Sequence, residues 1–158
     1  ERVRSLAEAA LLVQMNVDEA EAFMGAARSS WDTLDLATEM GAKLLLLTAE
    51  DQGAVLSNTM TRQSIIQKAP EVPIVDKCGA GDTCFATFLY FSHIKAYRPD
   101  VALDLAVRVA SATVSHVGPC RGIPSSEELA AYMPTGDERY FPHADEAHLE
   151  RRGGHSDE

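Results

Sequence analysis

The run Val75-Asp76-Lys77-Cys78-Gly79-Ala80-Gly81-Asp82-Thr83 constrains this chain more than any other. β-Branched residues lead into a Gly-Ala-Gly turn, and the turn runs directly into the apolar-periodic segment Cys84-Phe85-Ala86-Thr87-Phe88-Leu89-Tyr90-Phe91. That order predicts a strand, a tight turn and a helix start, with the Asp82 carboxylate in the first helical turn. Without a Cβ, Gly79 and Gly81 let the backbone take strained angles and approach a ligand closely. The free N–H groups at such a helix start form an anion site. An anion hole beside a carboxylate suits phosphoryl transfer to a hydroxyl, with Asp82 as the base.

The rest of the composition narrows the partners. A length of 158 residues with 46% hydrophobic content is enough for one domain with a real core. The net charge of −10 argues against nucleic acid as the main partner. It leaves a nucleotide site open, since backbone dipoles and a metal build such a site locally. The aliphatic run Leu44 to Leu47 is far too short to span a membrane, so no membrane partner is expected. Glu1-Arg2-Val3-Arg4 opens straight into an amphipathic pattern, which predicts no signal peptide and residues missing upstream. Cys78, Cys84 and Cys120 make neither a zinc spacing nor an even disulfide set, so a cytoplasmic, reducing setting is expected.

Along the chain, residues 3–10 read as the end of a helix and 11–15 as a short buried strand. Asn16 and Glu19 stand at capping-box spacing at the head of a helix running to about Gly25. A second helix is expected from Asp32 to Met40, closed by Gly41. Lys43 to Thr48 is a continuous aliphatic strand, as expected where helices cover both faces. Strand, helix, strand in this order implies a right-handed parallel crossover. Residues 53–57 and 62–67 predict a hairpin around Asn58-Thr59-Met60-Thr61. Two helices follow the Gly-Ala-Gly turn, one over 80–96 and one from Pro99 to Gly118. Pro119 to Pro124 reads as a loop, and Ser125 caps a last short helix. Residues 1–133 thus form the domain. The remaining 134–158 hold seven acidic residues and three arginines and read as a disordered tail. Its histidines, His143, His148 and His155, are poor metal candidates. Trp31, Phe85, Phe88, Phe91, Tyr132 and Met133 read as packing residues.

Taken together, these residues resemble the ribokinase (pfkB-type) family of sugar and nucleoside kinases. Asp76-Lys77-Cys78-Gly79-Ala80-Gly81-Asp82 is similar to its D-T-x-G-A-G-D signature, and Asn16-Val17-Asp18-Glu19 to its N-x-x-E. Thr48-Ala49-Glu50-Asp51-Gln52-Gly53 matches in part its T-x-G-x-x-G, and Gly118 to Pro124 resembles its closing glycine loop. The resemblance covers roughly residues 10–133, which correspond to the family's C-terminal half. It implies a three-layer α/β/α sandwich with a mostly parallel sheet, lacking the N-terminal half and its β-rich lid. It also implies ATP as phosphoryl donor and a sugar as acceptor. Asp82 would be the catalytic base, and the N–H groups of Gly79, Ala80, Gly81 and Asp82 would form the anion hole. Asn16 and Glu19 would orient magnesium and its waters, and Thr48 and Gly53 would sit by the nucleotide. Asp76, the carbonyl of Cys78 and Gly118 resemble a monovalent-cation site, with potassium as the ion. A full-length parent of this kind is expected to form a homodimer.

Three positions depart from the family pattern. Glu50 stands where glycine is usual, Lys77 replaces a common threonine, and Gly122 stands where many members place an oxygen ligand. Plainer readings exist beside the functional ones. Asn16 to Glu19 can be a capping box alone, and Gly79 to Asp82 a plain turn with a first-turn acid. Cys78 and Cys120 are expected near each other as ordinary buried thiols. The alternative function is a truncated or degenerate module that binds nucleotide, or a partner, without catalysis.

Overall fold

The computed structural model describes residues 2–24 and 32–133. Trp31, Gly25 and the acidic tail expected from 134 onward lie outside the described residues. The chain opens with α1 (Arg2–Ala9), β1 (Val13–Asn16), α2 (Val17–Met24) and α3 (Thr33–Met40). Then come β2 (Leu44–Thr48), a 3-10 turn (Glu50–Gln52), β3 (Ala54–Asn58) and β4 (Gln63–Gln67). The second half is α4 (Ala80–Leu89), a π turn (Tyr90–Ile94), α5 (Pro99–Val114) and α6 (Ser126–Leu129), followed by a 3-10 turn (Ala130–Tyr132).

The sheet runs in the order β1-β2-β3-β4. β1 pairs with β2 in parallel, Asn16 opposite Thr48, whereas β2–β3 and β3–β4 are antiparallel. The sheet of the described residues is therefore mixed. The expected hairpin contributes its antiparallel half, and parallel pairing is confined to β1–β2.

Alternation along β2 builds the layers. Leu45 and Leu47 join Met15, Ala20, Leu36, Ala37 and Met40 in a core under α1, α2 and α3. Leu46 points the other way and packs with Leu56, Phe88, Phe91, Leu103 and Leu105 under α4 and α5. A strand covered on both faces needs apolar residues at consecutive positions, which is why Leu44 to Leu47 is unbroken. Phe88 and Phe91 are buried as expected, and Phe85, Tyr132 and Met133 pack against the same core.

Helix ends follow their local signals. Asp32 caps α3 through a bond from Leu34 N–H at 2.8 Å, and Gly41 closes it. Ser125 and Glu128 form a reciprocal capping box on α6. Three expectations change. The strand expected at Val75 does not form; the N–H groups of Val75 and Asp76 both donate to the carbonyl of Val114, at 2.8 and 3.1 Å. They thereby satisfy a carbonyl that the end of α5 leaves open. α5 stops at Val114 rather than Gly118. α4 stops at Leu89 rather than running to 96; the chain widens into the π turn, where the Ser92 hydroxyl donates to the Phe88 carbonyl at 2.6 Å.

Candidate active site

The carboxyl ends of parallel strands are where open α/β sheets bind ligands. Here those ends carry Asn16 on β1 and Thr48 on β2, side by side in register. Asn16 and Glu19 form the reciprocal capping box of α2. Asn16 N–H donates to Glu19 Oε2 and Glu19 N–H to Asn16 Oδ1, each at 2.8 Å. Both residues are exposed. Each keeps oxygen lone pairs beyond those the box uses. Thr48 is half-buried; its hydroxyl accepts from Gln14 Nε2 at 3.4 Å. Beyond it the chain turns through Glu50–Gln52, and Gly53 carries the return, with its carbonyl accepting from Ala49 N–H at 2.8 Å.

The Gly-Ala-Gly turn sits opposite. Gly79 is the residue before α4 and is left-handed, with φ 79°. Gly81 lies within the helix itself, so the expectation of strained angles holds at Gly79 alone. Ala80 N–H is directed at the Lys77 carbonyl at 3.3 Å. The N–H groups of Gly79, Gly81 and Asp82 have no hydrogen-bond partner among the described residues. Asp82 follows them in the first turn with its side chain exposed.

Four links draw these pieces into one site. Gln14 joins β1 to the Thr48 hydroxyl, and its Nε2 stands 3.8 Å from where a Cβ on Gly81 would be. The Lys77 ammonium donates to Glu50 Oε2 at 2.8 Å. The Asp76 carboxylate accepts from Cys78 N–H at 2.9 Å and from Gly118 N–H at 2.8 Å. These two amide bonds, Cys78 first, hold the Asp76 carboxyl below the ordinary carboxylate range. Finally, a Cβ on Gly79 would stand 2.8 Å from Pro119, so the turn and the 118–122 loop touch at backbone level.

Sequence reasoning missed Gln14 and the Glu50–Lys77 pair, which unites two of the three departures. The third has a packing cause. A Cβ on Gly122 would come within 2.5 Å of Thr113 Cα and 2.6 Å of the Ala112 carbonyl, so the loop lies directly on the α5 backbone. No oxygen-bearing side chain fits there. Asp76 already receives two amide donors, and Gly118 turns its N–H toward that carboxylate. This corner braces two loops, with Asp76 accepting from Cys78 N–H and Gly118 N–H. Cys78 and Cys120 are exposed rather than buried; Cys84 is the buried thiol, and burial pushes its pKa up to about 12. Among the described residues no group of three or more His, Cys, Asp or Glu is placed to hold a metal, and no helix is long and apolar enough to cross a membrane. One carboxylate beside an amide suits magnesium, which keeps most of its waters and takes its remaining ligands from phosphates.

The family model for pfkB family carbohydrate kinases matches residues 1–126. The chain belongs to that family. It is 30% identical over 129 residues to an ATP-dependent 6-phosphofructokinase of Thermoanaerobacterium thermosaccharolyticum, covering 82% of this chain and 39% of that protein. The fold is ribokinase-like. The ribokinase of Thermotoga maritima superposes with a TM-score of 0.71 at 22% identity, over 82% of this chain and 44% of its own. The Arabidopsis thaliana ribokinase complexed with ribose and ATP gives 0.71 at 22% identity, over 82% and 42%. The pfkB chain thus spans less than half the length of these relatives.

Proposed function

We propose that this chain forms the nucleotide-binding and catalytic end of an ATP-dependent carbohydrate kinase, which transfers the γ-phosphoryl group to a sugar hydroxyl. The observation that carries the reading is Asp82 in the first turn of α4, next to the unpartnered N–H groups of Gly79, Gly81 and its own backbone. Asp82 accepts the proton of the acceptor hydroxyl as the new O–P bond forms, and ADP leaves with the electrons of the broken bond. The unpartnered amides donate to the oxygens of the transferred group, where negative charge has to be held. Their dipoles are fixed by α4, so little reorganisation accompanies the step.

Thr48 and Gly53 border the nucleotide on the β2 side. Glu19 and Asn16 are the residues that would hold magnesium through its waters, at the carboxyl end of β1. When bound, magnesium neutralises phosphate charge. The relatives are more than twice as long, and acceptor binding is assigned to the part of such a protein that this chain does not span.

The alternative reading, a non-catalytic nucleotide-binding module, draws support from the exposed Glu50 carboxylate at the nucleotide side. The test is Asp82→Asn in the full protein. Turnover is expected to fall by about 10²–10⁴-fold, while calorimetric affinity for Mg-ATP stays close to wild type. Unchanged turnover would overturn the base assignment. A wild-type protein that binds Mg-ATP yet phosphorylates no sugar supports the alternative.

A further inference from the structure

Glu50 and Lys77 lie far apart in sequence and meet across the candidate site at 2.8 Å. Stability does not explain the pair. The side chains are 66% and 57% exposed, and exposed ion pairs add little to a fold. Glu50 also holds a left-handed backbone, φ 48°, which L side chains disfavour. Strain of this kind at a non-glycine residue is typical of functional loops.

Position gives the pair its meaning. Glu50 follows the carboxyl end of β2 by two residues, and Lys77 precedes the left-handed Gly79 by two. The Lys77 carbonyl accepts from Ala80 N–H, so its backbone is part of the turn that presents the free amides. Glu50 and its neighbour Asp51 both act on the ammonium and favour its charged form. A lysine on a flexible four-carbon stem can exchange one oxyanion for another without moving its backbone.

We propose that Lys77 is a polyphosphate-binding residue and that Glu50 competes with the nucleotide for it. The proposal rests on the nucleotide-site reading above. A triphosphate, with more charge than one carboxylate, displaces Glu50 and recruits the ammonium to the anion hole. A ligand without phosphates leaves the pair closed. Glu50 thereby makes the site selective for highly charged ligands, in a chain whose net charge of −10 otherwise repels them.

The experiment is calorimetry on the full chain with Mg-ATP and with adenosine, for wild type, Lys77→Gln, Lys77→Arg, Glu50→Gln and the Glu50→Gln/Lys77→Gln double variant. Circular dichroism verifies that each is folded. Lys77→Gln is expected to weaken ATP about tenfold and leave adenosine unmoved, with Lys77→Arg close to wild type. Glu50→Gln is expected to tighten ATP about threefold, and to do less in the Lys77→Gln background, where only direct repulsion is relieved. A folded Lys77→Gln variant with an unchanged ATP-to-adenosine ratio overturns the proposal, as does weaker ATP binding in Glu50→Gln. Those outcomes leave the nucleotide site standing. A wild-type chain that binds neither ligand removes the nucleotide-site reading and this proposal together.

Discussion

Two glycines of one turn have opposite physical roles. Gly79 is left-handed and a Cβ there would stand 2.8 Å from Pro119, so Gly79→Ala meets both a backbone penalty and a clash. A loss of about 2–4 kcal/mol in denaturant-measured stability is expected. Gly81 is helical, and the nearest atom to its Cβ position is Gln14 Nε2 at 3.8 Å, an ordinary contact. Gly81→Ala is therefore expected to raise stability by up to about 1 kcal/mol. On the proposed function the Cβ would stand among the amides assigned to phosphate, and kinase activity of the full protein is then expected to drop. The thiols give a second check at this scale. Cys78 and Cys120 should react with an aromatic disulfide reagent in the native protein, while buried Cys84 reacts only on unfolding. Mg-ATP should slow labelling of Cys78, which adjoins the turn proposed to hold phosphate. Rapid labelling of Cys84 in the native state would contradict its burial.

The element that positions the turn is the brace made by Asp76 between the 76–79 segment and the loop at Gly118. Its carboxyl titrates lower in the folded protein than the ordinary aspartate value of 3.8. The stabilisation is therefore complete above that value and is lost as pH falls through the lower folded value. Amide exchange at Cys78 and Gly118 should accelerate over that acid window, and Asp76→Asn should show fast exchange at neutral pH as well. Exchange that ignores both changes would remove the brace. Elements with local causes were legible in the sequence. The helix from Asp32 closed by Gly41, the cap at Ser125 and the hairpin around Asn58 each depend on residues within a turn or two, and β2 announces its two-sided burial by consecutive apolar residues. The capping box of Asn16 and Glu19 was legible too, and its structural and functional readings coexist in one geometry. What escaped depends on distant partners. Val75 looks like a strand residue until the Val114 carbonyl is there to receive it. Glu50 and Lys77 read as separate anomalies because no local pattern joins them, and Gly122 looked like a missing ligand until α5 lay behind it.

At the scale of the molecule, β1 is the outermost strand of the described sheet on its side. Just before it in the chain, Leu6 of α1 and Leu11 are 72% and 58% exposed, and Val3 is half exposed. An open edge beside apolar residues invites pairing. The chain alone is expected to self-associate as its concentration rises in sedimentation experiments, and Leu6→Glu with Leu11→Lys to shift it toward monomer. A monomer at all concentrations would contradict this. The same edge has a further consequence. Asn16 ends β1, and Gln14, two residues earlier, touches both Thr48 and the space beside Gly81. A strand joining that edge would therefore pair with the strand that carries both Gln14 and Asn16. The margin of the sheet and the Asn16 end of the candidate site are thus built on one strand.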